Sequence, residues 1–165
     1  MLARKVFMSS LLVSLMTFAC STEAEVSFVK TTDGSTFKLD PALFDTPAAK
    51  EFLSTGKNSY VGNAEAVAKG KKIFGMYSCT QCHGPDAKGQ VGPGLVGPTF
   101  RYPKDATNKG MFETLWHGTN GGMGGKGVGI MDATDPTNGL KPDEILKVIA
   151  WVVPKDQLQV TSNLN

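Results

Sequence analysis

The sequence predicts a mostly α-helical domain with a small core and an N-terminal extension, and three observations carry that reading. Two segments, from Asn63 to Tyr77 and from Pro142 to Val152, place apolar residues three and four apart, the spacing of one helix face. Between them lies a stretch rich in Gly and Pro, which resists regular structure. Directly after the first of these helices, Cys79, Cys82 and His83 stand within five residues, in a chain with only 3 Cys and 2 His among 165 residues.

The elements follow in order. Arg4 and Lys5 precede an apolar run from Val6 to Ala19, which has the charge order and length of a secretory leader and is too short to span a bilayer. Cys20 closes that run in a position resembling a lipoprotein acylation site, although Thr17-Phe18-Ala19 matches that signal poorly, so membrane attachment is expected only if Cys20 is lipidated. Removing residues 1–20 takes away two positive charges and no acid, so the net charge of +2 falls to 0. A chain near neutrality gives no reason to expect a nucleic acid or an anionic membrane as partner. Val26 to Leu39 reads as a hairpin, with Asp33-Gly34 expected to supply the two positive φ angles of a type I′ turn. Thr46 as N-cap, Pro47 at the first position and Gly56 as C-cap predict a short helix over 47–55 that buries Ala48, Phe52 and Leu53.

The first core helix begins at the cap Asn63, carries Val67, Gly70, Ile73, Phe74 and Tyr77 as one stripe, and delivers the chain into Cys79. Residues 84–108 read as loop, 111–117 as a helical turn with Phe112, Leu115 and Trp116 on one side. The run 118–129 holds seven glycines and needs something to pack against. The last helix starts at Pro142, sets Asp143 and Glu144 against its positive end, buries Ile145, Val148, Ile149 and Val152, and stops at Pro154. The expected organisation is a leader over 1–20, an extension over 21–62, a core domain over 63–154 and a tail over 155–165.

Four chemistries compete for Cys-x-x-Cys-His. A disulfide oxidoreductase wants the pair at a helix start beside a parallel sheet, and no such pattern surrounds it. Structural zinc needs four ligands, and His117 is the only nearby donor beyond the motif. A plain disulfide has no use for His83. Covalent c-type haem uses every residue: thioethers from Cys79 and Cys82 hold the porphyrin edge, and His83 turns its imidazole to the iron. A flat apolar macrocycle also explains how a glycine-rich run could be ordered.

Gly92-Pro93-Gly94-Leu95, with Pro93 ten residues past His83, resembles a segment of class I cytochromes c. The resemblance implies that fold, a small helical core around the haem. It also implies that the Pro93 carbonyl accepts the second ring N–H of His83, that Leu95 packs on the ring, and that Gly70 and Phe74 cross the last helix against Trp151. Arg101, Tyr102 and Trp116 are further candidates to contact the haem. For the sixth position, Met123 lies five residues after Gly118, close to the family arrangement, and is favoured; Met131 is the alternative, with Met111 and His117 behind them.

A narrower resemblance is carried by Tyr60-Val61-Gly62, by Arg101-Tyr102-Pro103-Lys104-Asp105-Ala106-Thr107 with Lys109-Gly110-Met111-Phe112-Glu113-Thr114, and by Asp143-Glu144-Ile145-Leu146-Lys147. Over roughly residues 42–153 the chain resembles the cytochrome c(L) family, electron acceptors of PQQ-dependent methanol dehydrogenases. Gly124–Gly139 is longer than that pattern, which points to the subtype serving the lanthanide-dependent enzyme. The resemblance implies a periplasmic, monomeric electron carrier rather than an enzyme, loaded by the dehydrogenase and unloaded by a further c-type cytochrome or an oxidase. Docking is expected at the edge near Cys79, Cys82 and the glycine-rich run, with Lys104 and Lys126 as candidate steering charges. Calcium beside the haem occurs in such families, but no acidic cluster in the sequence demands it. The rival reading, a haem-based ligand binder or peroxidase-like enzyme with an open sixth position, lacks a recognisable distal acid–base pair.

Overall fold

A computed structural model describes residues 26–153; the expected leader, Cys20, the first residues of the extension, the stop at Pro154 and the tail lie outside that range. The described chain has two short strands, β1 (Phe28–Val29) and β2 (Thr36–Phe37), and five helices, α1 (Pro47–Thr55), α2 (Ala64–Met76), α3 (Thr80–His83), α4 (Asn108–His117) and α5 (Pro142–Val152). Two 3₁₀ turns, Pro41–Leu43 and Pro103–Ala106, complete it.

The centre is the crossing of α2 and α5. Gly70 is buried there, and a Cβ on it would overlap the Lys147 carbonyl oxygen, so the two backbones are in direct contact. One turn later Phe74 meets Trp151 with ring centroids 4.7 Å apart and planes at 54°. α5 buries Ile145, Leu146, Val148, Ile149 and Val152, which includes the whole predicted stripe. Its first turn is closed by Glu144, whose carboxylate accepts from the Lys141 backbone N–H at 2.9 Å.

α1 has the expected bounds. The Thr46 hydroxyl accepts from Ala49 N, and Gly56 ends the helix with φ +72°. Ala48, Ala49 and Phe52 are buried, and Leu53 is half-buried. The extension shares one hydrophobic core with the rest: Phe28, Phe44 and Phe52 surround Phe112 of α4 with centroids 5.4, 6.4 and 4.9 Å from it. Burying each such side chain is worth about 2–3 kcal/mol.

Three expectations differ. The hairpin exists, pairing Phe28 with Phe37 and Val29 with Thr36, but its turn is not type I′. Only Gly34 has positive φ, and Lys30 N donates to Ser35 O across a four-residue loop. Asp33 instead uses its carboxylate to accept from the backbone and hydroxyl of Ser35, which keeps its φ negative. α4 starts three residues before the predicted turn because Thr107 caps it through Gly110 N, and Gly110 tolerates helix here by letting the Lys104 carbonyl reach its Cα. The pair of cysteines does not simply end α2: Tyr77 and Ser78 break the helix, Ser78 with φ +58°, and the chain re-enters a helical turn at α3.

Gly70→Ala is expected to lower the stability of the holoprotein by about 3 kcal/mol, since no side-chain movement relieves a clash with backbone. Chemical denaturation followed by tryptophan fluorescence measures it, and a loss under about 1 kcal/mol would show that the crossing can spread freely.

Candidate haem site

α3 is the structural core of the site. Cys79 stands at its N-cap and Cys82 and His83 in its single turn, so the two sulfurs and the imidazole are gathered by local backbone geometry alone. Both thiols are free; Cys82 is exposed and Cys79 half-buried, and burial holds the Cys79 thiol above its ordinary pKa against the pull of the nearby Lys126 charge. His83 is only 8% exposed and its ring lies 6.5 Å from that of Phe74, so the α2–α5 crossing forms its back wall.

The imidazole is oriented by one contact. His83 Nδ1 lies 2.8 Å from the Pro93 carbonyl oxygen, the pairing the resemblance implied. A carbonyl oxygen has no proton to give, so Nδ1 carries the hydrogen and the neutral ring keeps its lone pair on Nε2. Nε2 has no hydrogen-bond partner among the described residues. The loop that supplies Pro93 is tied back to α3 by Gly92 N donating to Cys82 O at 2.7 Å and Gly89 N to His83 O at 2.9 Å. Gly92 leaves no room for a side chain larger than hydrogen without pressing on His83 and Cys82, since a Cβ there would sit 3.2 Å from His83 Cε1. Leu95 is half-buried against the core, its N–H on Ala87 O. Two thiols free to alkylate and one imidazole presenting a bare, pre-oriented Nε2 are the donor set that covalent haem requires, so the residues present fit that group.

The remaining candidates are spread. Met123 is half-buried and packs on the hydrophobic core; its carbonyl accepts from Thr119 N at 2.8 Å, closing a tight loop after α4. Met131 is half-buried, with its N–H on Gly127 O. Met111 is 2% exposed, enclosed in the core by α4. His117 and Phe37 meet in a T-shaped arrangement with centroids 4.3 Å apart, and burial, helped by Lys30 and opposed by Asp33, holds the imidazole below the usual pKa. Trp116 is 3% exposed, stacked on Phe112 at 5.6 Å, with the Gly127 backbone pressed on its indole. Tyr102 is half-buried, its hydroxyl beside Gly121, and Arg101 is exposed.

Sequence reasoning missed a buried polar network that fastens α4. Glu113 is 1% exposed and accepts from Val29 N at 2.8 Å, Lys104 Nζ at 2.8 Å and Lys109 Nζ at 2.6 Å, while Lys104 Nζ also donates to Val29 O. Lys104 is therefore committed inside the fold and is not the free steering charge the sequence suggested. The signal was present, since Glu113 falls four residues after Lys109 on α4. Beside it, Thr114 donates to Asp105 Oδ1 at 2.7 Å and shares its hydroxyl with Thr31. Among the described residues no group of three or more His, Cys, Asp and Glu side chains is placed to hold a metal ion, so calcium finds no support.

The cytochrome c family model matches residues 67–154. The chain belongs to the cytochrome c family. Members of that family carry covalently bound haem c. This cytochrome is 41% identical over 109 residues to cytochrome c-L of Methylorubrum extorquens, a match covering 66% of the chain and 49% of the relative, so the chain spans about half the length of that relative. Among solved structures it is similar to cytochrome cL of Hyphomicrobium denitrificans, with 38% identity, a TM-score of 0.65 and 78% and 73% of the two chains covered. Cytochrome cL of Methylophaga aminisulfidivorans matches with 36% identity and a TM-score of 0.64 over 77% and 78%. The fold is the class I cytochrome c fold, mostly helical with a small two-stranded sheet.

The Asp105 carboxyl is pushed up to about 6, mainly by burial, with Thr114 and Lys104 pulling the other way. An unfolded Asp titrates near about 4, so between about pH 4 and 6 the folded state holds a proton that the unfolded state has released. This group's contribution to stability is therefore complete below about pH 4 and is lost as pH rises through about 6, a change of about 3 kcal/mol. Asp105→Asn, which keeps an acceptor for Thr114, is expected to flatten that slope in urea denaturation of the holoprotein between about pH 4 and 7. An unchanged slope would place the titration elsewhere.

Proposed function

We propose that this cytochrome is a periplasmic one-electron carrier that takes electrons from a PQQ-dependent methanol or alcohol dehydrogenase and passes them to a downstream c-type cytochrome or an oxidase. The observation that carries the reading is the oriented His83, with Nε2 free and both cysteines gathered on α3, in a chain 41% identical to a cytochrome c-L. Cys79 and Cys82 would hold the haem by thioethers, and His83 and Met123 would bind its iron, with Met131 as the alternative to Met123. Bound haem supplies reversible one-electron chemistry. The protein's own residues do the rest: the Pro93 carbonyl raises the donor strength of His83 and keeps its ring from turning, and the buried core keeps water from its inner face. Pro93, Leu95, Arg101, Tyr102 and Trp116 are proposed as the surrounding contacts.

The docking face is proposed around the motif. Cys82 is exposed there, and Val91, beside the Gly92 that packs on Cys82, is 85% exposed. Met76, three residues before Cys79, is 62% exposed. Exposed apolar side chains beside the motif suit a transient electron-transfer encounter through a small interface. Lys126 is the charge for steering: it lies close enough to act on Cys79 and has no ion-pair partner among the described residues. The apolar run over 6–19 supports export by a cleaved leader, and the near-neutral remainder gives no charge that would recruit a nucleic acid; a monomer is proposed. The proposed division is a leader over 1–20, an extension over 21–62, a haem domain over 63–154 and a tail over 155–165.

Stopped-flow mixing of ferric holoprotein with methanol and a lanthanide-type or a calcium-type methanol dehydrogenase tests the reading. Fast, saturable reduction by one of them is expected, and Lys126→Glu should change the rate at low salt by about two- to tenfold, less at high salt. No reduction by either enzyme, with low-spin haem intact, would show that the donor belongs to another class.

A further inference from the structure

We propose that the N-terminal hairpin is a clamp on the loop that presents Met123, with Asn120 as the tie, and that it sets how readily the sixth coordination position opens. The proposal rests on the reading of Met123 as the sixth ligand.

The loop after α4 is short and closed on itself. Gly118 and Gly124 form an antiparallel bridge, and Thr119 N donates to Met123 O at 2.8 Å, so Thr119 and Met123 move as one unit. Met123 is the only residue of 119–124 that packs on the hydrophobic core; the others are Thr, Asn and Gly, and four of them are exposed. A segment with so few apolar contacts belongs to the part of a fold that opens at low cost. What it has instead is one long-range hydrogen bond. Asn120 Nδ2 donates to the carbonyl oxygen of Thr32 at 2.6 Å, across 88 residues of sequence.

Thr32 is a firm anchor because the hairpin is fixed at several points along α4, the helix from which the loop springs. Val29 N is held by the buried Glu113 carboxylate, and Val29 O by Lys104 Nζ. The Thr31 hydroxyl pairs with that of Thr114 at 2.8 Å. The ring of Phe37 of β2 packs on His117, the last residue of α4, in a T-shaped arrangement at 4.3 Å and 80°. The loop is thus gripped from two sides by parts of one body: α4 at its root and the hairpin at its tip. Tyr102 lies against it at Gly121, where a Cβ would come 3.4 Å from the hydroxyl. Displacing the loop that carries Met123 from the hairpin would break the Asn120 tie. Asn120 is a positioning residue; it acts through the loop and not on the iron.

The test uses ferric holoprotein and imidazole as the probe, an exogenous ligand that can bind only when the protein's own sixth ligand leaves. Asn120→Ala, and Asn120→Asp, which keeps the size but faces the Thr32 carbonyl with no donor, are expected to speed imidazole binding by about fivefold, the factor one lost hydrogen bond corresponds to. The near-infrared thioether-to-iron charge-transfer absorption of both variants should persist, because the tie governs opening and not ligand identity. Lys50→Gly, on the exposed face of α1, weakens the fold by a comparable amount without touching the clamp and should leave the imidazole rate unchanged. Unchanged rates in both Asn120 variants, or an equal rise in Lys50→Gly, would overturn the clamp while leaving Met123 as ligand. Persistence of the charge-transfer band in Met123→Ala, with its loss in Met131→Ala, would instead overturn the ligand reading and the clamp together.

Discussion

The close approach of α2 and α5 at Gly70 is the constraint on which the rest of the structure depends. With a hydrogen in place of a side chain at Gly70, the helix backbones touch at the Lys147 carbonyl, and that contact fixes where Phe74 and Trp151 meet one turn on. Phe74 in turn backs His83, so the position of the imidazole is inherited from a backbone contact in the crossing. Helix pairs usually keep 8–10 Å between axes, spaced by side chains that can repack. Here backbone sets the distance, and a side chain cannot relax into its place. The second fixed point is the Pro93 carbonyl, which holds the ring about its own axis. One contact positions the ring and the other orients it.

The extension completes this arrangement from outside. Phe28, Phe44 and Phe52 close over Phe112, and the hairpin satisfies a buried carboxylate that would otherwise be costly. Glu113 is paid for by two lysines and a backbone N–H, which is why a fully buried acid is tolerated on α4. Tyr60 and Thr46 make a parallel connection on the other side, both donating to Asp143 in the first turn of α5, at 2.5 and 2.9 Å. The extension therefore binds both α4 and α5, through charged and polar groups as well as through the aromatic core.

The parts of this fold that were legible in the sequence are those specified by neighbouring residues. Thr46, Pro47 and Gly56 delimit α1 because caps act within one turn, and the stripe of α5 is a strict helical period. The motif at Cys79, Cys82 and His83 is legible for the same reason, being one turn of chain. What was not legible depends on distant groups. The hairpin turn differs because Asp33 spends its carboxylate on Ser35 and so has no need of a left-handed backbone. Gly110 reads as a helix breaker until the Lys104 carbonyl is seen to need the space. Lys104 looks like a free surface cation in sequence, and only the fold brings it to Glu113 and to a strand 75 residues away. Met123 and Met131, eight residues apart, are ranked by resemblance, since Met123 keeps the family's spacing from Gly118.

Those glycines are not equivalent, although the sequence writes them alike. Gly118 and Gly127 are filled from outside, by the Met123 carbonyl and by the Trp116 indole, and neither has room for a methyl group. Gly124, next to Met123, has open space where a Cβ would stand and a backbone angle that any residue adopts. A stretch that looks like featureless low-complexity linker is therefore a mosaic of frozen and free positions. Descendants of this chain can vary at Gly124, beside Met123, without disturbing its neighbours, so this loop is open to evolutionary adjustment at one point while its scaffold stays locked.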